Sequence, residues 1–170
     1  MTKYDDLIKQ EKENSRLRED LQEDRERWQH ERKRSYIHTF MNELPEFHQA
    51  LLKNNIWTEF EYFHKKLFLP VKDKIQGVYL ISADGDGHTR SNCWIGKDGL
   101  YYLSSNYNST ADTLISAEEL AEIFYDRAIQ GIRYFSGDKE FQDAVKRDDY
   151  AEAVFQYFSI VIRYNNRYNS

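Results

Sequence analysis

Polar and charged residues dominate the first 35 positions of the chain, where apolar residues are sparse and widely spaced. The segment is rich in Glu, Lys, Arg, Gln and Leu and contains neither Gly nor Pro, a composition that favours helix. One heptad frame places Leu7, Asn14, Leu21 and Trp28 at successive a positions, while most of its d positions are polar. The pattern predicts a long charged helix. It leaves open a short parallel coiled coil, which would make the protein a homodimer, or a solvated single helix.

Helical spacing of apolar residues continues from Tyr36, but a proline follows closely. Leu44-Pro45 predicts an interruption, because the residue before a proline avoids helical backbone. Pro45 then suits the first turn of a second helix, which Asn54-Asn55 ends.

A capping pattern follows this second helix. Thr58 and Glu61 have the T-x-x-E spacing of a capping box, in which two side chains satisfy the first free N–H groups of a helix. The sequence therefore predicts a third helix that runs to about Leu69 and is closed by Pro70.

β-Branched and aromatic residues dominate the next part of the chain. Gly77–Ser82, Asn92–Gly96 and Leu100–Ser104 are predicted strands. Turn residues separate them at Asp84–Gly87 and Lys97–Gly99. We therefore predict an antiparallel meander of about three strands.

The C-terminal third returns to helical periodicity after a polar loop over residues 106–112. Ser116 opens an amphipathic helix as its predicted N-cap. A short helix over Lys139–Arg147 follows. The last helix, Tyr150–Tyr164, is apolar almost all round, so we expect it to be the most buried.

These elements predict an α+β fold, a small three-stranded antiparallel meander packed with several helices. The predicted globular domain covers residues 36–170 and follows the long charged helix of residues 1–35. The single cysteine, Cys93, excludes a disulfide scaffold, and the N-terminus lacks the apolar core of a signal peptide. We therefore expect a cytoplasmic protein without a membrane partner.

The sequence contains one pattern that suggests a calcium loop. Asp84, Asp86 and His88 have alternating spacing, but an EF-hand also needs Gly at the sixth position and an acidic residue at the twelfth. Those positions hold Thr89 and Ile95. A hairpin turn is the better interpretation, and we predict neither a metal site nor a cofactor.

Catalytic patterns are also missing from the sequence. His48, His64 and Cys93 are soft ligands, but none belongs to a C-x-x-C or H-x-x-x-H pair. Cys93 lies inside a predicted strand, where burial raises the thiol pKa and disfavours a nucleophile. The chain has no nucleophile elbow, phosphate-binding loop or dinucleotide fingerprint. We therefore predict a protein that is not an enzyme; the alternative is an enzyme with a dispersed site.

The acidity of the chain is concentrated in residues 112–152, which hold eleven acidic and five basic side chains. Glu118, Glu122 and Asp126 recur every four residues, with Glu119 beside them, so they share one helix face. This face is either solvated or a docking surface for a basic partner. Six further acidic residues extend the predicted patch: Asp138, Glu140, Asp143, Asp148, Asp149 and Glu152.

Basic side chains cluster once, near the end of the charged helix. The cluster and its aromatic residue are Arg25, Arg27, Trp28, Arg32, Lys33 and Arg34. Because acidic residues are interleaved with them, a salt-bridged helix face is the favoured interpretation. The alternative is contact with a nucleic-acid backbone, with Trp28 or Tyr36 stacking on a base.

In its size, acidity, abundance of Tyr and Asn and lack of catalytic motifs, the chain resembles small inhibitors encoded by phages and mobile elements, anti-CRISPR proteins among them. No motif carries this resemblance. It implies a non-enzymatic module that blocks a host or defence protein, for example a nucleic-acid-binding enzyme, through the acidic face and the N-terminal helix. The alternative is a nucleic-acid-associated accessory protein that uses residues 25–34.

Overall fold

The structure is a computed structural model and describes residues 2–80, 92–105, 109–131 and 138–168. The chain forms two compact units, divided between Ser35 and Tyr36. The predicted turn at Asp84–Gly87 lies outside the described residues.

The first helix, α1, covers Lys3–Asn54. In the second unit it buries a stripe of residues spaced three or four apart, which are Tyr36, Phe40, Leu44, Phe47 and Leu51. The predicted break at Leu44-Pro45 is wrong, because Pro45 lies inside the helix. A proline in a helix interior costs about 3 kcal/mol. Burial on both sides of Pro45 offsets this cost, since tertiary packing supplies most helical stability.

The end of α1 agrees with the prediction. Asn55 has left-handed backbone (φ 53°), and its N–H donates to the carbonyl of Leu51 at 2.9 Å. Asparagine tolerates this conformation better than most residues, which explains why the helix stops there.

The predicted helix over Thr58–Leu69 is wrong. This stretch belongs to a long antiparallel hairpin of β1, Thr58–Lys66, and β2, Leu69–Leu80. A capping box contributes only about 1 kcal/mol. Here it is outweighed by pairing with β2, which depends on residues far beyond the capping pattern.

The sheet contains six strands in the order β5-β1-β2-β3-β4-β6. The remaining strands are β3, Cys93–Gly96; β4, Tyr101–Leu103; β5, Thr110–Ala111; and β6, Thr113–Ile115. β2, β3 and β4 form an antiparallel meander, so the three-stranded prediction covers half of the strands. β5 runs parallel to β1, which makes the sheet mixed.

The C-terminal helices are α2, Ala117–Phe124; α3, Lys139–Lys146; and α4, Tyr150–Tyr168. Ser116 caps α2 as predicted, its hydroxyl accepting from the N–H of Glu119 at 3.1 Å. A π-helical segment, Tyr125–Ile129, continues α2 directly. Helices and a mixed sheet together confirm the α+β class.

The last helix is less enclosed than predicted. α4 buries one face, on which Val154 and Val161 are fully covered. Phe155, however, is 64% exposed. α4 is therefore amphipathic, since only one of its sides packs against the fold.

The main core lies between the helices and one face of the sheet. Phe40 stacks on Phe124 with ring centroids 4.6 Å apart, and Phe47 stacks on Phe158 at 4.1 Å. Sheet residues such as Ile95 complete the cluster. The aromatic residues supply much of its buried area.

A smaller aromatic cluster covers the opposite face of the sheet. Phe60 stacks on Trp94 at 4.8 Å and meets Tyr102 edge-on at 5.1 Å. Gly77 makes room for it, because a Cβ there would lie 2.7 Å from Cε1 of Phe60 and 2.7 Å from the carbonyl oxygen of Ile95. The sheet is thus packed on both faces around β3, where Ile95 belongs to the main core and Trp94 to the smaller cluster.

Asn165 of α4 binds the backbone of β2 beyond the point where β1 begins. Its side-chain oxygen accepts from the N–H of Tyr79 at 2.9 Å, and its amide nitrogen donates to the carbonyls of Tyr79 and Val161, each at 2.8 Å. Asn165 is buried. The Asn165 side chain therefore makes the hydrogen bonds to the backbone of Tyr79 that a neighbouring strand would otherwise make.

We expect Asn165→Ala to lower the free energy of unfolding by about 2–4 kcal/mol, because the backbone N–H and carbonyl of the half-buried Tyr79 lose these partners. Urea unfolding monitored by circular dichroism measures the change. Asn166→Ala is the matched control, since Asn166 is the exposed neighbour. An equal loss in both variants would contradict a structural role for the Asn165 amide.

Candidate functional site

The turn that joins β1 to β2 has an unusual sequence for its geometry. The strands pair up to Lys66 and Leu69, which leaves a two-residue loop of Leu67 and Phe68. Both loop residues have left-handed backbone, with φ of 51° and 67°. Such turns normally contain Asn-Gly or Asp-Gly. For an L-residue with a Cβ the left-handed conformation costs roughly 1–2 kcal/mol.

The same turn exposes large apolar side chains. Leu67 is 87% exposed, Phe68 96% and Leu69 67%, and we call these three residues the hairpin tip. Burying one such side chain contributes about 1.5–3 kcal/mol. At this turn the chain therefore leaves apolar side chains exposed to water and also holds its backbone in a strained conformation. This coincidence is typical of a contact surface.

The hairpin tip stands at the end of a two-stranded ribbon. β5 pairs with β1 only at Glu61 and Tyr62, and β3 pairs with β2 only from Gly77 onward. Among the described strands, residues 63–72 therefore pair only with one another. Four residues in each strand correspond to roughly 13 Å of ribbon at about 3.3 Å per residue.

Cross-strand pairs hold the ribbon together. Nε2 of His64 lies 2.6 Å from Oδ2 of Asp73 on the other strand. Within β1, the ring of Tyr62 stacks on His64 with centroids 4.7 Å apart. Nζ of Lys72 lies 3.4 Å from a carboxylate oxygen of Glu61. Two-stranded ribbons are marginal alone, so such pairs help to hold the tip in position.

The end of the ribbon is positively charged. Residues 63–72 include Lys65, Lys66 and Lys72 but no acidic residue, in a chain with a net charge of −5. Lys65 and Lys66 are exposed and form no ion pair with any residue that the structure describes. Lys65 and Lys66 thus place uncompensated positive charge next to the hairpin tip.

The predicted acidic face is accessible. Glu118, Glu119, Glu122 and Asp126 are all exposed, and they form no ion pair within the described part of the chain. Asp126 lies in the π-helical segment, where each turn contains more residues than in α2. The four carboxylates can therefore meet a partner without breaking existing ion pairs.

The six residues that were expected to extend this face include several with partners inside the fold. Asp138 accepts from the backbone at the start of α3 and pairs with Arg163. Asp148 accepts from the hydroxyl of Tyr36 at 3.1 Å. Asp149 accepts from the backbone at the start of α4. These three carboxylates already have partners within the domain, so we take as the candidate surface α2 and the π-helical segment, where all four carboxylates are exposed.

The predicted basic cluster lies on α1 in the first unit. Its members are Arg25, Arg27, Trp28, Arg32, Lys33 and Arg34. A guanidinium nitrogen of Arg27 lies 3.7 Å from a carboxylate oxygen of Asp24. The guanidinium of Arg32 lies 5.7 Å from the ring centroid of Trp28. Part of the positive charge is therefore paired along the helix. The guanidinium of Arg32 lies over one face of the Trp28 ring, whose side chain is otherwise exposed.

Cys93 is buried in β3. Burial raises the pKa of its thiol to about 12, although the nearby Arg127 acts in the opposite direction. The neutral thiol is therefore favoured in the folded state. This contribution to stability is present below the unfolded pKa and is lost as the pH rises from about 9 to about 12.

We expect Cys93 to react with iodoacetamide at pH 8 at least about tenfold more slowly in the folded protein than in denaturant, because the thiolate is the reactive form. Mass spectrometry of timed samples measures the rate. Equal rates in native buffer and in guanidinium chloride would show that the thiol is accessible.

Among the described residues, no group of three or more His, Cys, Asp or Glu side chains could hold a metal ion. In the same ranges no helix has both the length and the apolarity that crossing a bilayer requires. Comparison of the chain with protein families, curated proteins and solved structures finds no match.

Proposed function

We propose that this chain is a non-enzymatic interaction module that binds a protein target and blocks or organises it. The observation that carries the proposal is the hairpin tip, where left-handed Leu67 and Phe68 are almost fully exposed. The fold gives up stability at this turn through both strain and exposure. A partner that buries the tip recovers the apolar contribution.

Rigidity of the tip supports a role in binding. A two-residue loop has few conformations, so little freedom is lost when Phe68 is buried by a partner. Aromatic side chains in well-packed pockets also carry much of the affinity at interfaces. We therefore assign Phe68 as the principal anchor, with Leu67 and Leu69 beside it.

Photo-cross-linking in the native cell tests this proposal. p-Benzoylphenylalanine replaces Phe68 in one variant and Phe155, which is exposed on α4, in a matched control. We expect a discrete protein adduct from position 68 that position 155 does not give. The same adducts from both positions, or none from position 68, would refute docking through the tip.

The acidic face of Glu118, Glu119, Glu122 and Asp126 is proposed as a second contact, which engages a basic surface. If the target is a nucleic-acid-binding enzyme, these carboxylates compete with nucleic acid for its basic groove. This mode of action is the one expected of a phage- or mobile-element-encoded inhibitor, including one that resembles anti-CRISPR proteins.

Reversing Glu118, Glu122 and Asp126 to lysine is expected to weaken association with the cross-linked partner by about tenfold or more, since like charges then face the basic surface. Affinity of the purified pair, measured by calorimetry, gives the change. Reversal of Glu11, Glu43 and Glu46 makes the same change in net charge at other exposed positions. Equal weakening in the two variants would show that net charge alone matters.

Nucleic-acid binding through residues 25–34 is the alternative function. It is supported by the exposed Arg25 and Arg34 and by the contact between Arg32 and Trp28. It predicts binding that weakens steeply with salt. A mobility-shift assay at low salt that shows no complex would remove this alternative.

A further inference from the structure

The lysines beside the hairpin tip lie on both faces of the ribbon. Lys66 pairs across the strands with Leu69, and Lys65 with Pro70. Since successive side chains of a strand point to opposite faces, Lys66 lies on one face while Lys65 lies on the other. We call Lys65 and Lys66 the lysine collar.

The acidic groups nearest in the register already have partners on the ribbon. Asp73 lies 2.6 Å from His64. Glu61 lies 3.4 Å from Lys72. Lys65 and Lys66 have no such neighbour among the described residues, so their charge is available to a partner.

We infer that the hairpin tip fits an apolar socket in a protein partner whose rim carries carboxylates. This inference rests on the proposed function and names the chemistry of the partner. Burying Leu67 and Phe68 brings the lysine collar against the edge of the socket. Charges that lose water there need counter-charges, and carboxylates on the rim supply them.

A protein socket suits the tip better than an anionic bilayer. The two-residue turn presents Leu67 and Phe68 in one fixed arrangement, which a shaped socket can match and a fluid surface does not require. Glu59, Glu61 and Asp73 follow the collar on the same ribbon. An anionic membrane would repel these carboxylates and the net negative chain.

The test uses the whole 170-residue chain with p-benzoylphenylalanine at position 68. One variant carries Lys65→Glu and Lys66→Glu; a matched control carries Lys139→Glu and Lys146→Glu, and all four lysines are exposed and form no ion pair among the described residues. We expect collar reversal to lower the cross-link yield by about tenfold or more and the control to retain it. Circular dichroism confirms that both variants fold.

Charge-swap rescue completes the test. Mass spectrometry locates the cross-linked peptide, and acidic residues beside it in the partner are replaced by lysine. The altered partner is expected to restore cross-linking to the collar-reversed variant. An unchanged yield after collar reversal, or no rescue, would overturn the carboxylate rim while leaving docking through the tip in place. Loss of every specific adduct from position 68 would instead refute the proposed function.

A lipid-binding experiment distinguishes the protein socket from an anionic membrane. A Phe68→Trp variant is mixed with phosphatidylcholine vesicles that contain or lack phosphatidylserine, and the indole emission is compared with that of the unsubstituted protein. No change in emission is expected. A blue shift that requires phosphatidylserine and disappears on collar reversal would overturn the protein socket in favour of a membrane.

Discussion

Replacing Phe40 by alanine is expected to lower the free energy of unfolding by about 3–5 kcal/mol, the largest effect of any substitution considered. Phe40 is fully buried on α1. Its ring stacks on Phe124 at 4.6 Å and lies 5.1 Å from Phe158, so truncation leaves a cavity between helices that are far apart in sequence. Urea unfolding measures the loss, and a small rearrangement of the core would reduce it.

Phe155→Ala is the matched control for Phe40→Ala. Phe155 is 64% exposed, so its truncation should change the free energy of unfolding by no more than about 0.5 kcal/mol. Similar losses from the two variants would mean that α1 does not enter the core at Phe40.

Replacing Leu67 and Phe68 together by Asn and Gly is expected to raise the free energy of unfolding by about 1–3 kcal/mol, since these residues adopt left-handed backbone with little strain. The same change removes two residues of the hairpin tip, so association with the partner identified from position 68 should be lost. Stability is measured by urea unfolding, and association by calorimetry with the purified partner.

A second variant separates the strain from the apolar surface. Alanine at both Leu67 and Phe68 removes the side chains but keeps a Cβ at each left-handed position. It should lose the partner without the gain in stability. If the Asn-Gly variant were less stable than the original chain, the tip side chains would have to be packed against the fold rather than exposed.

The helix boundaries show which local signals were informative. Ser116 caps α2 and Asn55 follows the end of α1 as predicted, because both effects depend on hydrogen bonds within a few residues. The helix break predicted from Pro45 was wrong because contacts with distant residues decide the outcome there. The local preference of the proline is overruled by the burial of Leu44 and Phe47 on either side, which depends on distant partners.

The candidate site likewise has one part that local patterns predict and one part that they do not. The acidic face could be predicted from its four-residue spacing, because helical geometry alone brings Glu118 and Glu122 together. The hairpin tip could not be predicted from a turn signal, since Leu67 and Phe68 are neither Gly, Asn nor Asp. The alternation of aromatic and charged residues at Phe60, Tyr62 and beyond was the available strand signal, and the capping box obscured it.

The sequence by itself determined the α+β class, the charged helix, the central strands and the acidic face of α2. Each depends on composition or on spacing within a short window, where propensity and hydrogen bonding act locally. Only the tertiary structure decided that β1 is a strand, that α1 passes through Pro45, and that Leu67 and Phe68 stand exposed at a strained turn. Those outcomes depend on pairing and burial between distant residues, which no local pattern records.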